Sequence, residues 1–232
     1  MTKAYSKKEM LLQLFVGMPL PLSKWLYAFA RNSVLPDERA PYFEMTFQNV
    51  RDTRLRGDYL EFGVYRGSSF ILAARSAALY GLNAVRYFAF DSFQGLPEAE
   101  GKMFAHGEFA CSEQTFTRII TKAGVPIDKV VKVKGWYSDS LTNNIKKKHN
   151  LDRAAVVHID CDLYSSTRDV LAFIEDIIQI GSIIIFDDWC AFRNEQHPEN
   201  FGEPRAFSEW RARGAFDNFY EFRSTKAFIM TS

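Results

Sequence analysis

The 232-residue chain is predicted to fold as an α/β protein with a doubly wound, mostly parallel sheet, N-terminal helices and a C-terminal antiparallel hairpin. Three observations carry this. Strand-like and helix-like segments alternate from Gly57 to about residue 213, as in βαβ units. The run Ile183-Ile184-Ile185-Phe186 is too apolar for a strand with one wet face, and suits a parallel strand covered on both sides. The aromatic-rich runs Phe219-Tyr220-Glu221-Phe222 and Ala227-Phe228-Ile229-Met230 are joined by a short Ser224-Thr225 connection, which makes them a hairpin.

Taken in order, Leu11 to Ala30 is mostly apolar, but Pro19, Pro21 and Lys24 interrupt it, and a membrane span needs about 20 unbroken apolar residues. It reads as two helices near 6–16 and 20–32 that cover the domain or form a homodimer contact, followed by a third over 37–54. Residues 1–56 are thus expected as a helical cover of the same domain, with residues 57–232 forming the sheet domain. Leu60 to Gly63 closes a first strand, and Ser68 or Ser69 can cap a helix whose stripe is Phe70, Ile71, Ala74, Ala77 and Ala78, ending before Gly81. Tyr87–Asp91 and Val130–Val133 are the next strands, and a helix over 138–149 ends in a basic run that suits its negative pole. The fourth strand is 154–160. The helix after it has a capping-box pattern in Ser166 and Asp169, buries Val170, Leu171 and Ile174, and stops at Gly181. A last helix is expected near 203–213.

Composition narrows the function. The 29 basic residues nearly balance the 28 acidic ones, for a net charge of +1, which leaves no field to recruit nucleic acid or an anionic membrane surface. The partner is expected to be a small molecule or a glycan. Three cysteines with no CxxC spacing indicate neither a disulfide framework nor a zinc knuckle, and fit a cytoplasmic protein.

The chemistry concentrates at strand ends. Val156 to Asp162 and Ile183 to Asp188 each finish in carboxylates, so Asp160, Asp162, Asp187 and Asp188 crowd the carboxyl ends of two strands, where open α/β sheets bind ligands. Carboxylates that close raise one another's pKa, and a bound cation or a shared proton is needed to hold them together; oxygen donors favour Mg2+ or Ca2+. The plainer reading is that some of them are turn or capping residues. After the first strand, Glu61-Phe62-Gly63-Val64-Tyr65-Arg66-Gly67-Ser68-Ser69 runs through a glycine-bearing turn into a helix N-terminus, which can present N–H groups to an anionic ligand. Asp91, ending the second strand, is placed to accept hydrogen bonds from a ribose diol. The stretch from Ser92 to Gln114 has little periodicity and is expected to be a lid. Trp189, directly after the two aspartates, is expected near the acceptor.

These residues resemble the class I S-adenosylmethionine-dependent methyltransferases, with their Rossmann-like sheet, and within them the metal-dependent macrocin O-methyltransferase (TylF-like) family. The resemblance rests on LEFGVYRGSS (60–69), FDSFQGLP (90–97), GEFACSEQTF (107–116), GWYSDSL (135–141), HIDCDLYSST (158–167) and IIIFDDW (183–189), six ordered blocks over about 57–213. It implies that Gly63, Gly67, Ser68 and Ser69 hold the methionine end of S-adenosyl-L-methionine with Glu61 supporting the turn, that Asp91 grips the ribose, and that Ser92 and Asp139 lie near the nucleoside. It further implies that Asp160, Asp187 and Asp188 coordinate a divalent metal such as Mg2+ and that Asp162 is the general base. Because Asp160 and Asp162 are two apart, both would point the same way on a regular strand, and either could reach the metal. The implied reaction is methyl transfer to a hydroxyl of a sugar or other vicinal diol. The alternative is a nucleotide-sugar glycosyltransferase using Asp160-Cys161-Asp162 as a DxD motif, which leaves the turn at Glu61 to Ser69 without a purpose.

Overall fold

The computed structural model describes residues 37–210 and 214–232, so the helices expected over 6–16 and 20–32 lie outside the described residues. It opens on α1 (Ala40–Asp52), followed by β1 (Asp58–Phe62), α2 (Ser68–Leu79) and β2 (Tyr87–Asp91). Then come α3 (Glu113–Lys122), β3 (Val130–Lys134), α4 (Tyr137–Ser140), α5 (Asn143–His149) and β4 (Ala154–Ile159). The chain closes with α6 (Tyr164–Ile174), β5 (Ile178–Phe186), α7 (Gly202–Glu209), β6 (Phe216–Phe222) and β7 (Thr225–Met230). The seven strands form one sheet in the order β3-β2-β1-β4-β5-β7-β6. The pairs from β3 to β5 are parallel, and β7 is antiparallel to both β5 and β6.

Alternate residues of each strand supply two cores, as the period of two in side-chain direction requires. Tyr59, Ala89, Val156 and Ile183 face α1 and α2, where Phe43, Phe47 and Phe70 cover them. Leu60, Phe88, Val157 and Ile184 face α6, with its Val170, Leu171 and Ile174. Both faces are therefore dry, which is why β4 and β5 read as unbroken apolar runs. Strand order reverses between β1 and β4, so their carboxyl ends open a crevice, and the site sits there.

Several boundaries differ from expectation for identifiable reasons. The helix expected over 138–149 is two helices, broken at Leu141-Thr142, where Leu141 leaves the helical region at ψ 78°. The helix after β4 starts at Tyr164 with Leu163 as N-cap, so Ser166 and Asp169 lie inside it and form no capping box; Asp169 instead accepts from Arg168. Gly181 does not stop a helix. At φ +91° it sits in β5, which begins at Ile178 after a helix that ended at Ile174. The last helix closes at Glu209. Helix α3 is additional to the expected elements, although its Ser112 cap on Thr115 N–H and its buried Phe116 and Ile120 mark it. Among the described residues no helix is long and apolar enough to cross a membrane.

Candidate active site

The acidic floor follows from strand register. Ile159 of β4 pairs with Phe186 of β5, and Asp160 N–H and Asp187 N–H continue the ladder to Phe62 O and Ile159 O at 2.9 and 3.0 Å. The next residues therefore leave the sheet side by side. One oxygen each of Asp160, Asp162 and Asp188 lie within 4.8 Å of one another, and a donor atom each of His158, Asp160 and Asp187 do likewise. Asp162 reaches this cluster from a left-handed turn, at φ +64°, and not from a regular strand.

Charge is crowded here. Burial, followed by the charge of Asp187, holds the Asp160 carboxyl far above the ordinary range. Burial and the charges of Asp188 and Asp160 raise Asp162, and Asp188 is raised chiefly by burial, with the two side chains hydrogen-bonded to each other. Asp187 differs. Burial would lift it, but His158, the Arg39 guanidinium at 3.9 Å and the Thr225 hydroxyl at 3.2 Å bring it below its ordinary value. Three crowded carboxylates of this kind fit a hard divalent cation, which would let them ionise together.

Two residues not singled out in the sequence stand directly behind this floor. His158 is fully buried, with Nδ1 3.8 Å from Glu61 Oε2 and Nε2 3.7 Å from Asp187 Oδ1. Burial disfavours its charge, yet the flanking carboxylates of Asp187 and Glu61 push its pKa up to about 10, which favours the protonated ring between the ends of β1 and β5. Glu203, fully buried at the start of α7, accepts Asp188 N–H through Oε2 at 3.0 Å. Its own carboxyl is held well above the usual range by burial and by the charge of Asp188.

The turn after β1 is held from both sides. Glu61 accepts from the Tyr59 hydroxyl and from Ser69 Oγ, the latter at 2.6 Å, in a fully buried position. Asp91 accepts from Val64 N–H (2.8 Å), Tyr65 N–H (3.2 Å) and Phe93 N–H (2.6 Å). A carboxylate has about four lone-pair sites, so one remains open to the cavity. Ser68 Oγ accepts from Arg39 Nη2 at 2.9 Å, which links the turn to the guanidinium beside Asp187. Ser69→Ala is expected to cost about 1–3 kcal/mol of unfolding free energy in urea titration, because it leaves Glu61 Oε1 buried and unpaired.

Turn and floor share one cavity of about 690 Å3, whose walls include Gly63, Ser68, Ser69, Asp91, Ser92, Asp160, Asp162 and Asp188. Glu61, Gly67 and Asp187 support the wall from behind. At φ +79°, Gly67 packs so tightly that a Cβ would meet Phe116 and Ile120 at 2.9 Å. Asp139 is exposed on α4 and bonded to Ser138, while Trp136, Tyr137 and Ser138 take the wall positions. Trp189, expected near the acceptor, turns away into a cluster with Phe186, Phe207 and Phe228. The loop from Ser92 to Cys111 covers the cavity through Leu96, Met103, Phe104 and Phe109.

Residues 29–207 match the family model described as macrocin O-methyltransferase (TylF). A Streptomyces olivaceus 4'-O-methyltransferase of 8-demethyl-8-(2,3-dimethoxy-alpha-L-rhamnosyl)-tetracenomycin C is 30% identical, over 69% of this chain and 65% of the relative. The mycinamicin III 3''-O-methyltransferase of Micromonospora griseorubida is 30% identical over 58% of this chain and 56% of its own length. The chain thus spans less than two thirds of the length of these curated relatives. Among solved structures, the O-methyltransferase NovP superposes with a TM-score of 0.70 at 22% identity, covering 97% of this chain and 100% of that one, which shows the shared fold. With more than half of its length matched by that family model, this chain belongs to the macrocin O-methyltransferase family.

Proposed function

We propose that the chain is a metal-dependent O-methyltransferase that moves a methyl group from S-adenosyl-L-methionine to a hydroxyl of a sugar or other vicinal diol. The carrying observation is the single cavity in which a glycine turn and Asp91 face a floor of three crowded carboxylates. The rhamnosyl group in the name of the Streptomyces olivaceus O-methyltransferase supports a sugar-bearing acceptor. A DxD glycosyltransferase is not favoured, since the family match is to methyltransferases and the turn would have no purpose.

The protein's part is division of labour. Gly63, Ser68 and Ser69 present the turn to the methionine end of the donor, Asp91 offers its remaining lone pair to the ribose, and Glu61 with Tyr59 and His158 keeps the turn rigid. Asp160, Asp188 and Asp187 are the candidates to hold a divalent cation, which when bound would orient two neighbouring hydroxyls and lower the pKa of the one to be methylated. Asp162 would take the proton from that hydroxyl, and Asp160, which lines the same cavity, is the second candidate. Arg39 balances Asp187 and ties it to the turn. The loop at 92–111 keeps water from the reacting centre. The unpaired state of Cys111, Cys161 and Cys190 is in keeping with a cytoplasmic setting.

The test is a mass-spectrometric screen with labelled methyl donor against simple glycosides and catechol-type diols, with Mg2+ or with chelator. A labelled methyl ether that forms in Mg2+, is lost in chelator and returns on adding Mg2+ is the expected result. Undiminished product in chelator would remove the metal, and turnover of nucleotide sugars in its place would reinstate the glycosyltransferase.

A further inference from the structure

We propose that Glu100, on the loop over the cavity, is a positioning residue whose carboxylate clasps the starts of α6 and α7 together and so couples closure of the loop to the seating of Asp162 and Asp188. This rests on the proposed role of the acidic floor.

The first N–H groups of a helix need acceptors from outside the helix. Neither α6 nor α7 has one nearby, because their N-cap residues, Leu163 and Phe201, make no side-chain cap. Glu100 supplies both, accepting Tyr164 N–H through Oε2 at 2.7 Å and Gly202 N–H through Oε1 at 2.8 Å. One carboxylate thus meets the positive poles of two helices at once, with charge-assisted hydrogen bonds to each. Each contact lies one short step from the floor. Tyr164 is two residues beyond Asp162, whose backbone is held at φ +64° by the turn that α6 terminates. Gly202 precedes Glu203, which accepts the Asp188 N–H.

The rest of the loop is built around this clasp. Glu100 and Phe104 exchange backbone hydrogen bonds of 3.1 and 3.3 Å, and Leu96 and Phe104 pack against Leu163 and Phe192 in a small core of their own. Glu98 accepts from Ser165 Oγ at 2.5 Å. Gly202, at φ +56°, carries no Cβ where one would lie 2.6 Å from the Phe192 ring, which allows the helix start to reach Glu100. Opening the loop therefore uncaps both helices that flank the floor.

Three variants and two measurements decide the matter. Glu100→Gln keeps the shape but turns one acceptor into an NH2 group facing an N–H donor; Glu100→Asp is too short to span both helices; Glu100→Ala removes the clasp. Hydrogen exchange on the full chain should show reduced protection at Tyr164 and Gly202 together in all three. Titration with Mn2+ alone should show affinity weakened about tenfold in Glu100→Gln, the loss of one charge-assisted hydrogen bond, and further in Glu100→Ala. In turnover, kcat should fall more than the KM for S-adenosylmethionine. Loss of protection at one helix start only, or unchanged Mn2+ affinity and kcat despite a lower Tm, would overturn the coupling and leave Glu100 as a fold stabiliser. A wild-type chain that binds no Mn2+ would sink the metal reading instead, while the exchange data would still judge the clasp.

Discussion

Gly63→Ala is expected to abolish binding of S-adenosylmethionine and to destabilise the chain by about 2–5 kcal/mol, although it adds a single methyl group. Two effects combine. Gly63 sits at φ +84°, a conformation that charges an L-residue about 1–2 kcal/mol. Its missing Cβ would lie 1.8 Å from the Asp160 carbonyl oxygen and 2.8 Å from the carbonyl carbon, so the obstacle is backbone and cannot rotate away. Relief requires the end of β1 to part from the residue that opens the acidic floor, at the point where Gly63 N–H bonds Phe90 O and Asp160 N–H bonds Phe62 O, each at 2.9 Å. The same residue thus shapes the glycine turn and sets the height of Asp160. Gly81→Ala is the control: its φ of +72° carries the conformational cost, but nothing lies within 4 Å of the added methyl. Urea unfolding and calorimetric titration with S-adenosylhomocysteine should separate the two variants. A folded Gly63→Ala protein of wild-type affinity would show that the donor does not use this turn.

The sheet was legible because β1, β2, β4 and β5 are buried on both faces, so their apolar runs survive in the sequence as strands in any reading. Strand-end carboxylates were legible for a related reason: four of them close behind two such runs need an explanation. The residues that organise them carried no local pattern. Glu100 and Glu203 are isolated acids whose partners lie 64 and 102 positions away for the former and 15 for the latter, so their role exists only in the tertiary fold. The cap of α6 was misassigned to Ser166 and Asp169 because its acceptor comes from a distant loop. His158 did leave a signal, a titratable ring inside a strand that is otherwise apolar, and such a group is retained in a dry interior only with charged partners. Asp91 carries a turn-holding role that no local pattern announces, since three of its four acceptor sites take backbone N–H groups. Trp189 was placed by adjacency to Asp188, but its ring packs onto Phe186 and leaves the cavity to others.

Asp187→Ala and Asp162→Asn should both abolish or nearly abolish turnover, but for different reasons that stability measurements will separate. Asp187 lies 3.7 Å from Nε2 of a fully buried His158 whose pKa its carboxylate neighbours push up to about 10, and removing one partner of a buried charge costs about 3–5 kcal/mol. Glu61 remains 3.8 Å from the other ring nitrogen, which places the expected loss toward the lower end. With Asp187 gone, the ring leans on Glu61, the residue that anchors Ser69 and the glycine turn. Weaker binding of S-adenosylmethionine is therefore expected as well, so this variant cannot by itself isolate a metal ligand. Asp162 stands in the opposite position. It is one of three crowded carboxylates, with no cation as its direct partner among the described residues, and Asp162→Asn relieves repulsion at nearly constant volume. Its metal-free stability should equal or exceed that of the wild type, its affinity for S-adenosylmethionine should be unchanged, and kcat should fall by roughly 10²–10⁴ if it is the base. A variant that keeps its Mn2+ affinity and loses kcat identifies Asp162 as the proton acceptor. One that loses both makes it a ligand and passes the proton to Asp160, while full activity would remove it from the chemistry.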